Sequence, residues 1–118
     1  AYPDRQIIAF TGDGGSMYTI QALHTASRYH IPVKIVICNN GRYHLLDNNL
    51  DVYRKEQGIP EHQQPDCFSL EPRIDFVEMA KAMGVDGVKA ETPEQAVEAA
   101  KRMMCSEGAF LVDLRTAD

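Results

Sequence analysis

The sequence predicts an α/β fold, a doubly wound parallel sheet with helices on both faces, and three observations carry that expectation. Two near-continuous apolar runs, residues 6–11 and 33–38, have the composition of parallel strands covered on both sides. Each run ends in a turn sequence, Gly12-Asp13-Gly14 after the first and Asn39-Asn40-Gly41 after the second. Between them residues 17–30 have helical character, so the opening segment has the plan of a right-handed βαβ unit.

The remaining elements follow from spacing and punctuation. A short helix is expected over residues 45–51, at the start of a polar stretch, residues 47–69, that holds Pro60 and Pro65, lacks clear periodicity and reads as a long loop. Phe76, Val77, Ala80 and Met83 form a helical stripe, and Gly84 supplies its C′ stop. Residues 88–90 predict a short strand. Thr92-Pro93-Glu94-Gln95 is a capping box with proline at the first helical position, so a helix should run from there to about Cys105. Residues 110–115 close the sheet. The order βαβ(α)αβαβ places any site at the carboxyl edge of the first two strands.

Composition narrows the class. The chain of 118 residues, 44% hydrophobic, suffices for one domain with a core. A net charge of −5 with no run of Lys or Arg leaves no footprint for nucleic acid or a membrane surface. No apolar stretch approaches the roughly 18–20 residues that span a bilayer. Cys38, Cys67 and Cys105 are odd in number, widely spaced and without a CxxC pair, which argues for a reducing cytoplasm rather than a disulfide framework. Cys38, within the second apolar run, is expected to be buried.

The strand ends carry the chemistry. In a βαβ unit both lie on one edge of the sheet, and neighbouring strands sit about 4.8 Å apart, so Asp13 and Asn40 can converge on one ion. A carboxylate and an amide carbonyl are hard oxygen donors, suited to Mg²⁺ or Ca²⁺ rather than zinc or copper. Gly12, Gly14 and Gly15 let the backbone approach an anion closely. A helix beginning near Ser16 would turn its free N–H groups toward phosphate oxygens. Alone, Asp-Gly and Asn-Asn-Gly are ordinary turn sequences; paired at two strand ends, they suggest a metal-phosphate site.

At these residues the chain resembles a known family. Gly12-Asp13-Gly14, followed by Asn39-Asn40, is similar to the diphosphate-binding signature of thiamine-diphosphate-dependent enzymes. The surrounding IIAFTGDGGSMYTIQALHTASRYHIPVKIVICNNGRYHLL resembles the benzoylformate decarboxylase, pyruvate decarboxylase and acetolactate synthase group. Around ALHTASRYHIPV and NNGRY the likeness is to benzoylformate-decarboxylase-like enzymes, and DFVEMAKAMGV and GAFLVDLR match the expected final helix and strand.

The resemblance implies a ligand set. Asp13 and Asn40 would hold Mg²⁺ by their side chains and Arg42 by its backbone carbonyl. Gly12, Gly14, Gly15, Ser16 and Gly41 would form the cradle around the diphosphate, and Tyr43 would contact a phosphate. Leu45 and Leu46 fall where relatives line the thiazolium and substrate pocket, or they are core residues of a short helix. His44 faces either substrate or solvent. His24 and His30 read as packing or surface residues, and His62 as part of a polar loop. The cofactors implied are thiamine diphosphate and Mg²⁺, and the reaction is loss of carbon dioxide from a 2-oxo acid, with carboligation as the acetolactate synthase alternative.

The resemblance also makes residues 1–118 the C-terminal, diphosphate-binding domain of a longer chain, and only part of that domain. The aminopyrimidine half of the cofactor would be held by an amino-terminal domain, generally from a second subunit, and a homo-oligomer is implied. The segment preceding this one, with a strand and helices that cover the sheet, would lie outside the chain. A non-catalytic alternative, a phosphate- or nucleotide-binding module of flavodoxin-like or receiver-like type, would not explain the paired Asn39-Asn40.

Overall fold

The computed structural model describes residues 5–60 and 62–116. Four strands, β1 (Ile8–Gly12), β2 (Lys34–Asn39), β3 (Asp86–Ala90) and β4 (Phe110–Arg115), form one parallel sheet in the order β1-β2-β4-β3. Ile8 pairs with Lys34 and Gly12 with Cys38, while Lys34 faces Phe110 on the other side. The chain thus steps from β1 to β2, passes over one position to β3, and returns to insert β4. That reversal, with right-handed crossovers, demands helices on opposite faces.

The core divides accordingly. On one face α2 (Ala22–Arg28) and α4 (Phe76–Ala82) bring Leu23, Phe76, Val77 and Ala80 against Ile37 and Leu111. On the other, α5 (Pro93–Cys105) lays Ala99 and Met103 on Val36, Ala90, Phe110 and Val112. Two-sided cover explains why β2 and β4 alternate little in polarity. α4 is capped by Asp75, whose side chain accepts from the Glu78 N–H, and Gly84 beyond its end has φ of +76°. At α5 the Thr92 side chain accepts from the Gln95 N–H at 3.3 Å, and the Gln95 side chain returns to the Glu91 N–H at 2.8 Å, with Pro93 in the first turn.

Lys34 is fully buried at the amino edge of the sheet. Its Nζ donates to the carbonyls of Ser106 at 2.6 Å and Gly108 at 2.5 Å, which ties β2 to the turn between α5 and β4. Burial pushes its pKa below the usual lysine range.

Four local expectations are corrected. Residues 17–30 do not form one helix: a single turn, α1 (Asp13–Ser16), is followed by i→i−3 bonds such as Thr19 N–H to Ser16 O, and α2 begins only at Ala22. The β-branched pair Thr19-Ile20 weakens regular helix there. The helix expected over 45–51 is α3 (His44–Glu56), which shortens the loop. Asp47 in its first turn, Arg54 and Lys55 in its last, and Gly58 beyond it with φ of +64° complement its dipole and stop it. The rest of the loop holds a 3-10 turn, Asp66–Phe68. Cys38 is exposed, because α5 covers the middle of β2 and not its carboxyl end. β1, expected to be covered on both faces, is an edge strand with Ile8 and Phe10 exposed. No helix among the described residues is long and apolar enough to cross a membrane.

Candidate cofactor-binding site

The parallel pairing of β1 and β2 delivers Asp13 and the loop 39–43 to the same edge of the sheet. Asp13 is 4% exposed. Its Oδ1 accepts from the Gly14 N–H at 2.8 Å and its Oδ2 from the Gly41 N–H at 2.6 Å, so one carboxylate bridges the two strand ends. It has no ion-pair partner among the described residues. A buried carboxylate satisfied by backbone donors alone keeps a free lone pair on each oxygen and an unneutralised charge, which favours a cation.

Asn40 stands beside it. Its Oδ1 accepts from the Arg42 N–H at 3.1 Å, an Asx turn that orients the amide and leaves one lone pair free. Among the described residues no group of three His, Cys, Asp or Glu side chains is placed to hold a metal. The oxygen set of Asp13, Asn40 and nearby carbonyls therefore suits a hard cation that takes further ligands from phosphate and water.

The loop has little freedom. Gly41 has φ of +74° and a carbonyl that accepts from the Leu70 N–H at 2.8 Å. Tyr43 donates its N–H to Phe68 O at 2.8 Å, and Arg73 Nη2 donates to Asn40 O at 3.2 Å. The Arg42 guanidinium is engaged by both oxygens of Asp47, in the first turn of α3, which holds the Asp47 carboxyl below the usual carboxylate range. The arginine at this position is thereby spent on an ion pair, and its backbone remains at the cleft.

A cleft of about 490 Å³ opens over this edge. Gly12, Asp13, Gly14, Gly15, Asn40, Arg42, Tyr43 and Leu45 line it, together with His44, Leu46, Tyr18 and Cys38. The Tyr43 ring lies so close over Gly14 that a Cβ there would collide with it. Leu45 and Leu46 are 71% and 42% exposed, so they form a wall of the cleft and are not core residues. Ser16 is placed differently: it ends α1, is buried, and donates its hydroxyl to the Asp13 carbonyl at 2.7 Å. Gly41 lies behind the lining, where its N–H orients Asp13.

Sequence reasoning missed several participants. Asp47 was recoverable from its acidic place in the first turn of α3, whereas the exposure of Cys38 depends on where α5 stops covering β2. Arg73 lies in an irregular segment and carried no local signal.

A parallel α/β sheet with a glycine-lined, hard-oxygen cleft at its carboxyl edge is the class of domain that binds the anionic group of a cofactor. The chain belongs to the family of thiamine pyrophosphate enzymes, specifically their C-terminal TPP binding domain, which matches residues 1–114. Membership implies thiamine diphosphate as cofactor, with Mg²⁺ as its usual partner metal. The chain is 33% identical over 98% of its length to benzoylformate decarboxylase of Pseudomonas aeruginosa. It is 35% identical over 75% of its length to the acetolactate synthase large subunit of Parasynechococcus marenigrum. Among solved structures, the thiamine diphosphate-dependent 4-hydroxybenzoylformate decarboxylase of Rhodococcus jostii RHA1 superposes over 98% of the chain with a TM-score of 0.82 at 37% identity. The chain spans 20% of the first, 14% of the second and 20% of the third.

Proposed function

We propose that residues 1–118 are the diphosphate- and Mg²⁺-binding part of a thiamine-diphosphate-dependent 2-oxo acid decarboxylase of the benzoylformate decarboxylase type. The buried Asp13, without an ion-pair partner among the described residues and tied through Gly41 to the loop that carries Asn40, is the observation that supports this most directly. Asp13 Oδ and Asn40 Oδ1 would hold the cation with the Arg42 carbonyl. Gly12, Gly14 and Gly15 leave the cleft floor without side chains, so backbone amides can approach the diphosphate. Ser16 fixes the α1 turn from behind, and Tyr43 closes the cleft over Gly14. Leu45 and Leu46 offer an apolar wall, with His44 beside them. Bound thiamine diphosphate supplies the carbon nucleophile that decarboxylation of a 2-oxo acid needs, and the protein supplies orientation and electrostatics.

The exposed apolar edge at Ile8 and Phe10 supports a sheet that further parts of a longer protein complete. The aminopyrimidine end of the cofactor would then be held by an amino-terminal domain, from a second subunit of a homo-oligomer. The three free, exposed thiols suit a reducing compartment such as the cytoplasm. The 118 residues by themselves are expected to show no decarboxylase turnover. The acetolactate synthase likeness supports a second reading, a carboligase using the same Asp13 and Asn40 site with another acceptor.

Calorimetric titration with thiamine diphosphate, with and without Mg²⁺, tests the site. Binding that needs Mg²⁺ and disappears in Asp13→Ala is expected; metal-independent binding, or binding that survives in the variant, would refute it.

A further inference from the structure

Asn39 is half of the paired asparagines, yet the cation reading uses only Asn40. It is 1% exposed, and its Nδ2 donates to the Ile74 carbonyl at 3.1 Å and to Asp113 Oδ1 at 2.9 Å. Asp113 is completely buried in β4, with Oδ2 3.6 Å from Arg115 Nε. Asn39 Oδ1, Asp113 Oδ2 and Arg115 Nε, all buried, have no hydrogen-bond partner among the described residues. Burial pushes the Asp113 carboxyl above the usual carboxylate range, against the opposing influence of Asn39 and Arg115.

Such a cluster is a poor way to stabilise a core. Buried polar atoms without partners cost free energy, and apolar side chains of similar shape commonly match or exceed a buried charged pair in stability. Its position suggests what it does. Asn39 ends β2 immediately before Asn40, and Ile74 closes the segment 68–74, which makes three further bonds to the loop through Phe68 O, Leu70 N–H and Arg73 Nη2. Asn39 therefore joins the loop, this segment and the neighbouring strand β4 through one side chain.

We propose that Asn39 and Asp113 are positioning residues, which lock the end of β2 so that Asn40 and the Gly41 N–H stand in register with Asp13 before any cation arrives. The proposal rests on the reading of Asp13 and Asn40 as the cation site. Neither residue lines the cleft itself, so both act through the loop. Orientation of a ligand from behind in this way is commonly worth about 10–100-fold in metal affinity.

Two readouts on the full-length chain test it: exchange of the Gly41 amide hydrogen without cofactor, and the Mg²⁺ concentration that half-saturates thiamine diphosphate binding. Met103→Ala, in the core on the opposite face, serves as a destabilised control. In Asp113→Ala, Gly41 exchange should accelerate about tenfold relative to Ile37, and the Mg²⁺ midpoint should rise about tenfold. Asp113→Asn keeps an acceptor for Asn39 Nδ2 and should stay within about threefold of the parent on both. Met103→Ala should lower the melting temperature without a selective change at Gly41. If Asp113→Ala does not fold, Asn39→Ser, too short to reach Asp113, should give the same selective pattern. Equal Gly41 exchange in the cluster variants and Met103→Ala, at matched loss of melting temperature, would overturn the proposal. If the parent shows no Mg²⁺-dependent binding, the cation reading fails by itself, and Gly41 exchange still decides whether Asn39 and Asp113 position the loop.

Discussion

The two halves of the sheet are built on different terms. Around β4 and β3, helices cover both faces, and Phe76, Leu111, Val112 and Ala90 are at most 4% exposed. Around β1 and the end of β2, Phe10 is 71% exposed, glycines replace side chains, and the buried Asp13 carboxylate has no ion-pair partner among the described residues. One half is held by packing against itself. The other is held by directed hydrogen bonds and is shaped for groups that come from outside, so stability and binding should separate under mutation.

Phe76→Ala attacks the packed half. Removing a fully buried ring should cost about 3–5 kcal/mol, read as a fall in denaturation midpoint, while cation selectivity of the surviving folded protein stays unchanged. A parallel loss of Mg²⁺ dependence in the folded fraction would break the comparison. Asp13→Ala is the converse. Affinity for thiamine diphosphate at fixed Mg²⁺ should fall about 100-fold, or about 2.7 kcal/mol, with a smaller fall in melting temperature than Phe76→Ala gives, from the lost Gly14 and Gly41 N–H bonds.

Gly14→Ala sharpens the boundary between the halves, because the added methyl meets the Tyr43 ring. A destabilisation of about 1–3 kcal/mol is expected, and it should be largely relieved in a Tyr43→Ala background, giving a non-additive double-mutant cycle. The smallest effect belongs to Asp47. Its folded pKa is depressed chiefly by the hydrogen bond from Arg42, so its contribution is present above the unfolded carboxylate pKa and is lost as pH falls through the depressed value. Asp47→Asn should flatten the acid limb of a melting-temperature profile. Asp113 has the opposite sign: burial raises its pKa, so protonation on acidification favours the folded state, and Asp113→Asn should remove that gain.

Legibility in the sequence follows the same division. Gly84 after the 76–83 stripe, the Thr92-Pro93 start of α5 and the apolar run of β4 mark the packed half, where local signals and tertiary structure agree. The pairing of Asp13 with Asn40 could be read because strand-end turns converge in any βαβ unit. What could not be read depends on contacts from afar. Arg73 on Asn40 and Asp113 on Asn39 join residues 33 and 74 positions apart. The exposure of Cys38 depends on where α5 stops covering β2, and the i→i−3 turns after Ser16 lie within an outwardly helical pattern. The length of α3 was legible in principle from Arg54, Lys55 and Gly58, and was hidden by the polar character of the segment.

Lys34 gives the packed half its own sensor. Its ammonium is enclosed and bound to two carbonyls, while Lys55, Lys81 and Lys101 lie at the surface. An acylating reagent should therefore modify those surface amines in the native protein and reach Lys34 only in molecules where the turn between α5 and β4 has come apart. The extent of its acylation, resolved by peptide mass, would time the opening of the sheet without any engineered probe.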